Sequence, residues 1–284
     1  MGETRPGLEE IGLPEGIPVI AGSADHVAST LAAGIIGEGD LLIKFGGAGD
    51  ILYCTEELKT DPRLFIDFHD VPGKYLINGC MASSGSLVKW YTKDILRLEG
   101  PNVLRELDDA ASRVPPASDG LIVLPYFLGE KTPIMDPTAR GTFFGLTLSH
   151  TRAHIFRAIL ESVIYGFRHH VEVIRSMGLS PERIYATNGG AKSRFWCRIA
   201  ADVLGREIVA YPSHPGSALG VAFLAGMKAG VFTEWEQIRA FLEEKRVFTP
   251  EAEAVKVYDG AYAIYRELYE SLRPCCADAE RLYR

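Results

Sequence analysis

Three short segments carry residue types whose spacing could do chemistry. The first is Phe45-Gly46-Gly47-Ala48-Gly49-Asp50. Three glycines in four positions let a turn adopt positive φ and bring successive backbone N–H groups against a ligand. Phosphate is the natural guest of such a nest, and a tight hairpin with no ligand is the plain alternative. No Gly-Lys-Ser/Thr follows, so this is not a Walker A loop. The second is Thr187-Asn188-Gly189-Gly190-Ala191-Lys192-Ser193, placed between a predicted strand and a predicted helix. A junction of that kind aims N–H groups and the positive end of a helix at whatever lies above the strand ends. Its plain alternative is a sharp turn with Ser193 as helix N-cap. The third is Ala21-Gly22-Ser23-Ala24-Asp25-His26, where Asp25 is either the cap of the helix that follows or a general base beside a phosphate site. His26, at a helix start, reads as structural or as catalytic, the structural role being the commoner. A fourth stretch, 129–137, gathers Glu130, Lys131 and Asp136 in an irregular segment that either touches a substrate or is a solvated loop held by proline.

The elements that must position these residues alternate between strand and helix. Residues 17–22 read as a strand and 25–36 as a helix. Residues 41–45 and 51–54 form a hairpin about the first glycine turn. A third strand is predicted over 75–79, helices over 87–98 and 102–112, and a buried strand over 121–124. The stretch 129–145 has no period and is a loop or β-arm. Ile155, Ile159, Val163, Phe167, Val171 and Ile174 recur every three or four residues, the spacing of a long amphipathic helix, with Gly178 as its C-cap. Strands over 184–187 and 207–210 alternate with helices over 195–204 and 218–229. Helices over 235–241 and 254–272 close the chain, with Pro274 as the stop. No internal repeat appears. The order implies an α/β fold with a mixed sheet flanked by helices.

At 284 residues, 47% hydrophobic and 24% charged, the chain has the make-up of a globular protein and the length for one large or two small domains. The longest apolar runs, 120–125 and 218–225, are far too short to span a bilayer. Residues 1–16 are acidic and broken by proline and glycine, unlike a secretory signal. A cytoplasmic protein with no membrane partner is expected. The formal net charge is −7 and no basic stripe occurs, which argues against nucleic acid. Any bound anion must therefore be held by local backbone donors. Cys54, Cys80, Cys197, Cys275 and Cys276 show no C-x-x-C and no paired Cys/His spacing. Neither a zinc site nor a disulfide framework is expected, and no side-chain metal site is predicted.

Taken together, these segments resemble the C-terminal half of the FGGY family of carbohydrate kinases. Gly141-Thr142-Phe143-Phe144-Gly145-Leu146, then seven residues, then His154-Ile155-Phe156-Arg157-Ala158-Ile159-Leu160-Glu161 is similar to the family's second signature in composition and spacing. In the expected order stand 21–26, 45–49, 84–90, 125–140, 188–193, 200–205 and 216–220. The resemblance runs from about residue 17 to residue 232. The family's opening Asp-x-Gly-Thr-Thr occurs nowhere.

The resemblance implies an actin-like (ribonuclease H-like) ATPase domain facing a second such domain across an active-site cleft. Residues 1–37 would then be the last segment of the N-terminal kinase domain with the interdomain helix, and 38–284 the C-terminal nucleotide-binding domain. It implies Asp25 as the base that takes the proton of a sugar hydroxyl, with His26 beside the substrate. Gly46, Gly47 and Gly49 match the second phosphate loop. Gly189, Gly190, Ala191 and Arg194 match the nucleotide pocket, with Lys192 and Ser193 at the helix start and Gly85 and Lys89 flanking the nucleotide. The implied cofactors are ATP and Mg²⁺. The implied partners are ATP or ADP, a pentulose such as xylulose, the N-terminal kinase domain missing from this chain, and a second copy in a homodimer. Four positions depart from the family's habit. Gly47 and Ala48 stand where hydroxyl residues are common, His26 where Asn is common, and Lys131 where Arg is common. Three alternatives remain at this stage: a nucleotide-binding sensor or scaffold without catalysis, a kinase acting on ribulose or glycerol, and an ATPase of the actin or heat-shock type.

Overall fold

The computed structural model describes residues 2–242 and 244–283. The chain opens with a two-stranded ribbon, β1 (Gly2–Glu3) against β2 (Pro18–Val19). The strand expected over 17–22 shrinks to those two residues, because the ribbon is its whole sheet. Helix α1 (Asp25–Ala32) follows. It stops short of the expected 36, because Gly34 takes φ +71° and turns the chain toward β3 (Asp40–Phe45).

Next come β4 (Gly49–Thr55), β5 (Phe65–Phe68), β6 (Tyr75–Met81) and α2 (Gly85–Trp90). One π-helical turn, Tyr91–Ile95, continues α2, so the helix expected over 87–98 is broken in type. Then follow α3 (Val103–Ala111), β7 (Ile122–Leu124), β8 (Thr142–Phe144), α4 (Arg152–Ser176) and β9 (Arg183–Thr187). The chain closes with α5 (Arg194–Leu204), β10 (Ile208–Ala210), α6 (Ser217–Lys228), β11 (Arg246–Phe248) and α7 (Ala252–Tyr283).

Seven strands form one mixed sheet in the order β11-β10-β9-β3-β4-β6-β5. β3, β9 and β10 run parallel and the other pairs run antiparallel. The two-residue alternation of a strand divides the core between the sheet's faces. Leu41, Ile43, Phe45, Ile51, Tyr53, Ile77, Met81, Ile184 and Ala186 point into the large core shared with α4, α5 and α7. Leu42, Leu52, Cys54 and Leu76 point the other way, onto Val27, Ala33 and Ile35 of α1 and its exit. On that second face α6 crosses α1 so closely that a Cβ on Gly220 would lie 2.1 Å from the Ala28 carbonyl oxygen.

Several expectations are corrected. β7 leaves the main sheet and pairs with β8, so part of the stretch 129–145 is the β-arm, one of its two readings. Residues 235–241 form a 3-10 turn rather than an α-helix. Edge strands β5 and β11, of four and three residues, escape a periodicity reading because they are too short to alternate. Helix α7 runs through Pro274 instead of stopping there. Proline costs the helix one hydrogen bond, about 3 kcal/mol in a helix interior. Beyond and around that point α7 is held by the arm 136–140, through Arg273 to Asp136 (3.9 Å) and Glu280 to Arg140 (4.0 Å). The five cysteines are free, and Cys275 and Cys276 lie within α7.

Candidate functional site

The parallel register sets Lys44 of β3 opposite Thr187 of β9, so both strands finish level and both glycine bends leave the same rim of the sheet. The bends touch. A Cβ on Gly46 would lie 3.4 Å from Asn188 Nδ2, and one on Gly190 would lie 2.5 Å from Phe45 Cβ. A third segment completes the rim: Ser84 and Ser86 N–H donate to Gly47 O (2.9 and 3.0 Å), and Gly85 N–H donates to Gly46 O (2.8 Å). Gly46, Gly47, Gly49, Gly85, Gly189, Gly190 and Ala191 therefore share one place.

The reason for glycine differs from the expected one. None of Gly46, Gly47 and Gly49 has positive φ. Glycine is needed for close approach: a Cβ on Gly49 would meet Phe167 at 2.9 Å, and one on Gly85 would meet Gly46 O at 2.7 Å. Space above Gly47 is open. With the carbonyls of Gly46 and Gly47 taken by α2, no internal bond among the described residues uses the N–H of Gly46, Gly47 or Ala48. Strain appears instead at Asn188, a non-glycine residue at φ 70° on the second bend.

Ser193 caps α5, accepting from Trp196 N–H at 2.9 Å, and its hydroxyl donates to Asp108 Oδ2 at 2.7 Å. Burial raises the Asp108 carboxyl to about 6. The Ser193 hydroxyl thus has its donor spoken for inside the protein. Lys192 and Arg194 are exposed at the same junction. Gly85 and Lys89 line a pocket of about 570 Å³ together with Val88, Thr92, Leu98 and Val103. This pocket lies on the α2–α3 side of the rim.

Asp25 lies on the other face. The capping alternative is not met: the N-cap position is Ala24 with no side-chain bond, and Asp25 is the first helical residue. Its carboxylate is 92% exposed, with His26 Nδ1 3.5 Å away. His26 Nε2 meets Asp67 Oδ2 at 3.1 Å, and Asn78 Nδ2 donates to that same oxygen at 3.0 Å. Asp67 was invisible to sequence reasoning because β5 gives no pattern, and Asn78, though on a predicted strand, gains its role only through the partner β5 supplies. The far end of α1 is tied to the opposite rim: His69 Nε2 meets Ile35 O (2.7 Å), and Arg239 both bonds Gly34 O (3.2 Å) and pairs with Asp40 at the start of β3. The helix therefore begins toward the rim where β3 ends.

One level below the glycine turn, Thr187, Lys44, Asp50 and Cys80 form a row across the α1 face of the sheet. Burial, then Asp50, pushes the Cys80 thiol up to about 11. Lys131 Nζ reaches 4.0 Å from its sulfur. The arm that carries Lys131 is docked, not a solvated loop. Thr132 Oγ1 accepts from Cys80 N–H (2.6 Å), and Glu130 Oε1 accepts from the N–H of Ala82 (2.7 Å) and Lys131 (2.8 Å). Burial lifts the Glu130 carboxyl to about 7.

A ligand with a flat, apolar-seated end on the α2–α3 side and an anionic tail could lay that tail over the N–H groups of the rim, toward Asp25. The C-terminal domain of the FGGY family of carbohydrate kinases matches residues 55–229, well over half the chain. The chain belongs to that family. It is 30% identical to the xylulose kinase of Staphylococcus epidermidis over 95% of this chain and 54% of that protein. It is 29% identical to the gluconokinase of Bacillus subtilis over 91% of this chain and 52% of that protein. The crystal structure of xylulose kinase from Rhodospirillum rubrum superposes with a TM-score of 0.90 at 45% identity, covering 97% of this chain and 56% of the other. The fold is the actin-like ATPase domain of these FGGY kinases. This chain spans about half the length of the curated relatives it matches. No described helix is long and apolar enough to cross a membrane.

The family signature proves to be scaffolding. Gly141 lets the Phe127 ring lie flat on it, with a Cβ there only 2.3 Å from the ring, and Gly145 crosses the Gly120 carbonyl. Arg157 and Glu161 are buried in α4 and pair with each other at 2.7 Å, away from the rim.

Proposed function

We propose that this chain is the nucleotide-binding half of an ATP-dependent FGGY kinase that transfers the γ-phosphoryl of MgATP to a primary hydroxyl of a pentulose such as xylulose. The observation that carries the reading is the division of the rim. Glycine bends crowd together on one edge of the sheet, a pocket opens beside Gly85 and Lys89 on one side, and an uncapped, solvent-facing Asp25 begins the helix on the other. Adenosine fits the first side, and the phosphates cross the unpartnered N–H groups of Gly46, Gly47 and Ala48. Asp25 takes the proton of the attacking hydroxyl, a weak nucleophile that needs a base in reach. Phosphoryl transfer asks for little beyond positioning and charge neutralisation, and Mg²⁺ arrives on the phosphates as part of the substrate. Residues 1–37 are read as the last segment of the other kinase half ending in the connecting helix α1, which packs on this half, and 38–284 as the nucleotide domain. Xylulose is favoured by the relatives at 30% and 45% identity.

The test is Asp25→Asn in a full-length protein carrying both halves. A coupled ADP-release assay with xylulose should fall by about 10²-fold or more, while ADP affinity by calorimetry stays unchanged. Undiminished xylulose phosphorylation would remove Asp25 as the base. ATP turnover indifferent to every sugar offered would replace the kinase reading with an ATPase.

A further inference from the structure

Lys44 is the residue the fold leaves underused. Its side chain is 11% exposed, yet among the described residues its ammonium has one ion-pair partner, Asp50 Oδ2 at 3.5 Å, and no hydrogen-bond acceptor. An ammonium carries three N–H donors, and a buried charge with unfilled donors is costly. The neighbour opposite it in register, Thr187, is fully buried with an unpartnered Oγ1. The other titratable group facing it, His214, is held neutral by burial and by the Lys44 charge itself. The row of Thr187, Lys44 and Asp50 lies directly under the turn whose N–H groups have no partner among the described residues, on the face that carries Asp25. That turn has Gly47 and Ala48 at its tip and offers no hydroxyl of its own.

We propose that Lys44 is the cation that binds the terminal phosphate of the nucleotide as it crosses the glycine turn, exchanging its loose contact with Asp50 for phosphate oxygens. The inference rests on the nucleotide reading given above and names a side-chain contact for the terminal phosphate. In the empty state Asp50 is the partner that occupies the ammonium beneath the rim and competes with phosphate for it.

The experiment is an NMR titration of the whole chain with adenosine, ADP and MgATP into the millimolar range, on the wild type and on Lys44→Met, Lys44→Arg and Asp50→Asn. The wild type should bind ATP more tightly than adenosine. Lys44→Met should lose about tenfold or more in ATP affinity, the size of one charge-assisted hydrogen bond, with adenosine affinity unchanged. Lys44→Arg should keep most of the ATP preference. Asp50→Asn should bind ATP more tightly, because the competing carboxylate is gone. ATP binding equal to wild type in Lys44→Met overturns the Lys44 assignment alone. Absence of any shift with adenosine or ATP in the wild type overturns the nucleotide reading and this inference with it. Should Lys44→Met fail to fold, Asp50→Asn decides, and weaker ATP binding by that variant overturns the proposal.

Discussion

Glu161 Oε2 accepts the Ser118 hydroxyl at 2.8 Å, from a segment in which Ala117, Ser118 and Asp119 all take positive φ. Its other oxygen receives Arg157 Nε (2.7 Å), Tyr258 O–H (2.8 Å) and Ala117 N–H (3.0 Å). One carboxylate thus satisfies four donors from three parts of the chain and fixes an unusual left-handed stretch. Glu161→Ala should cost about 3 to 5 kcal/mol in urea unfolding, because Arg157 is left charged and buried without its partner. The double variant Arg157→Met/Glu161→Leu should regain a large part of that loss. A double variant as unstable as the single one would show that the network contributes more than the removal of an unpaired charge.

Gly220 offers a second test. Any side chain there drives into the Ala28 carbonyl of the facing helix. Gly220→Ala should lower the unfolding free energy measured in urea by about 1 to 3 kcal/mol. A variant of unchanged stability would mean that α1 and α6 slide apart easily.

Two buried groups flank Thr132 and pull the pH profile in opposite directions. His170 meets Gly166 O through Nδ1 (2.8 Å) and Thr132 Oγ1 through Nε2 (2.9 Å), and a neutral imidazole satisfies both. Burial lowers it to about 4 from 6.5. The unfolded chain therefore takes a proton below about 6.5 that the folded chain refuses. The stability His170 contributes above that pH is lost as pH falls toward about 4. Glu130 has the reverse sign. Raised to about 7 from 4.5, it contributes stability in its protonated form below 4.5, and this is lost as pH rises through 7. Urea midpoints measured across this range should show a shallower acid limb for His170→Gln and a shallower neutral limb for Glu130→Gln. An unaltered acid limb in His170→Gln would remove that residue from the account.

The hairpin β3–β4, the long helix α4 and the β9–α5–β10 alternation were legible because each spans enough residues for its period to show. Ser193 as a cap and Gly178 after α4 were legible from local backbone chemistry alone. What stayed hidden depends on long-range company. β7 reads as a core strand, yet its partner β8 lies in a segment with no period. Asp67, Asn78 and Cys80 acquire meaning only once β5 and β6 lie beside α1. Pro274 reads as a stop because a proline rule sees one chain, whereas the arm at 136–140 holds α7 on both sides of it. At the rim, glycine richness was read as a need for positive φ, and packing turned out to demand it instead.

The crossing of α1 over α6 has a consequence for timing. Because the two helices meet backbone to backbone and α1 also rests on the sheet, Asp25 and the glycine rim belong to one solid piece. In the proposed reaction the gap between proton acceptor and phosphate is thus preset, like the jaws of a fixed gauge. The mobile participant is then the sugar and whatever carries it, and an unvisited gauge leaves its carboxylate in bulk water.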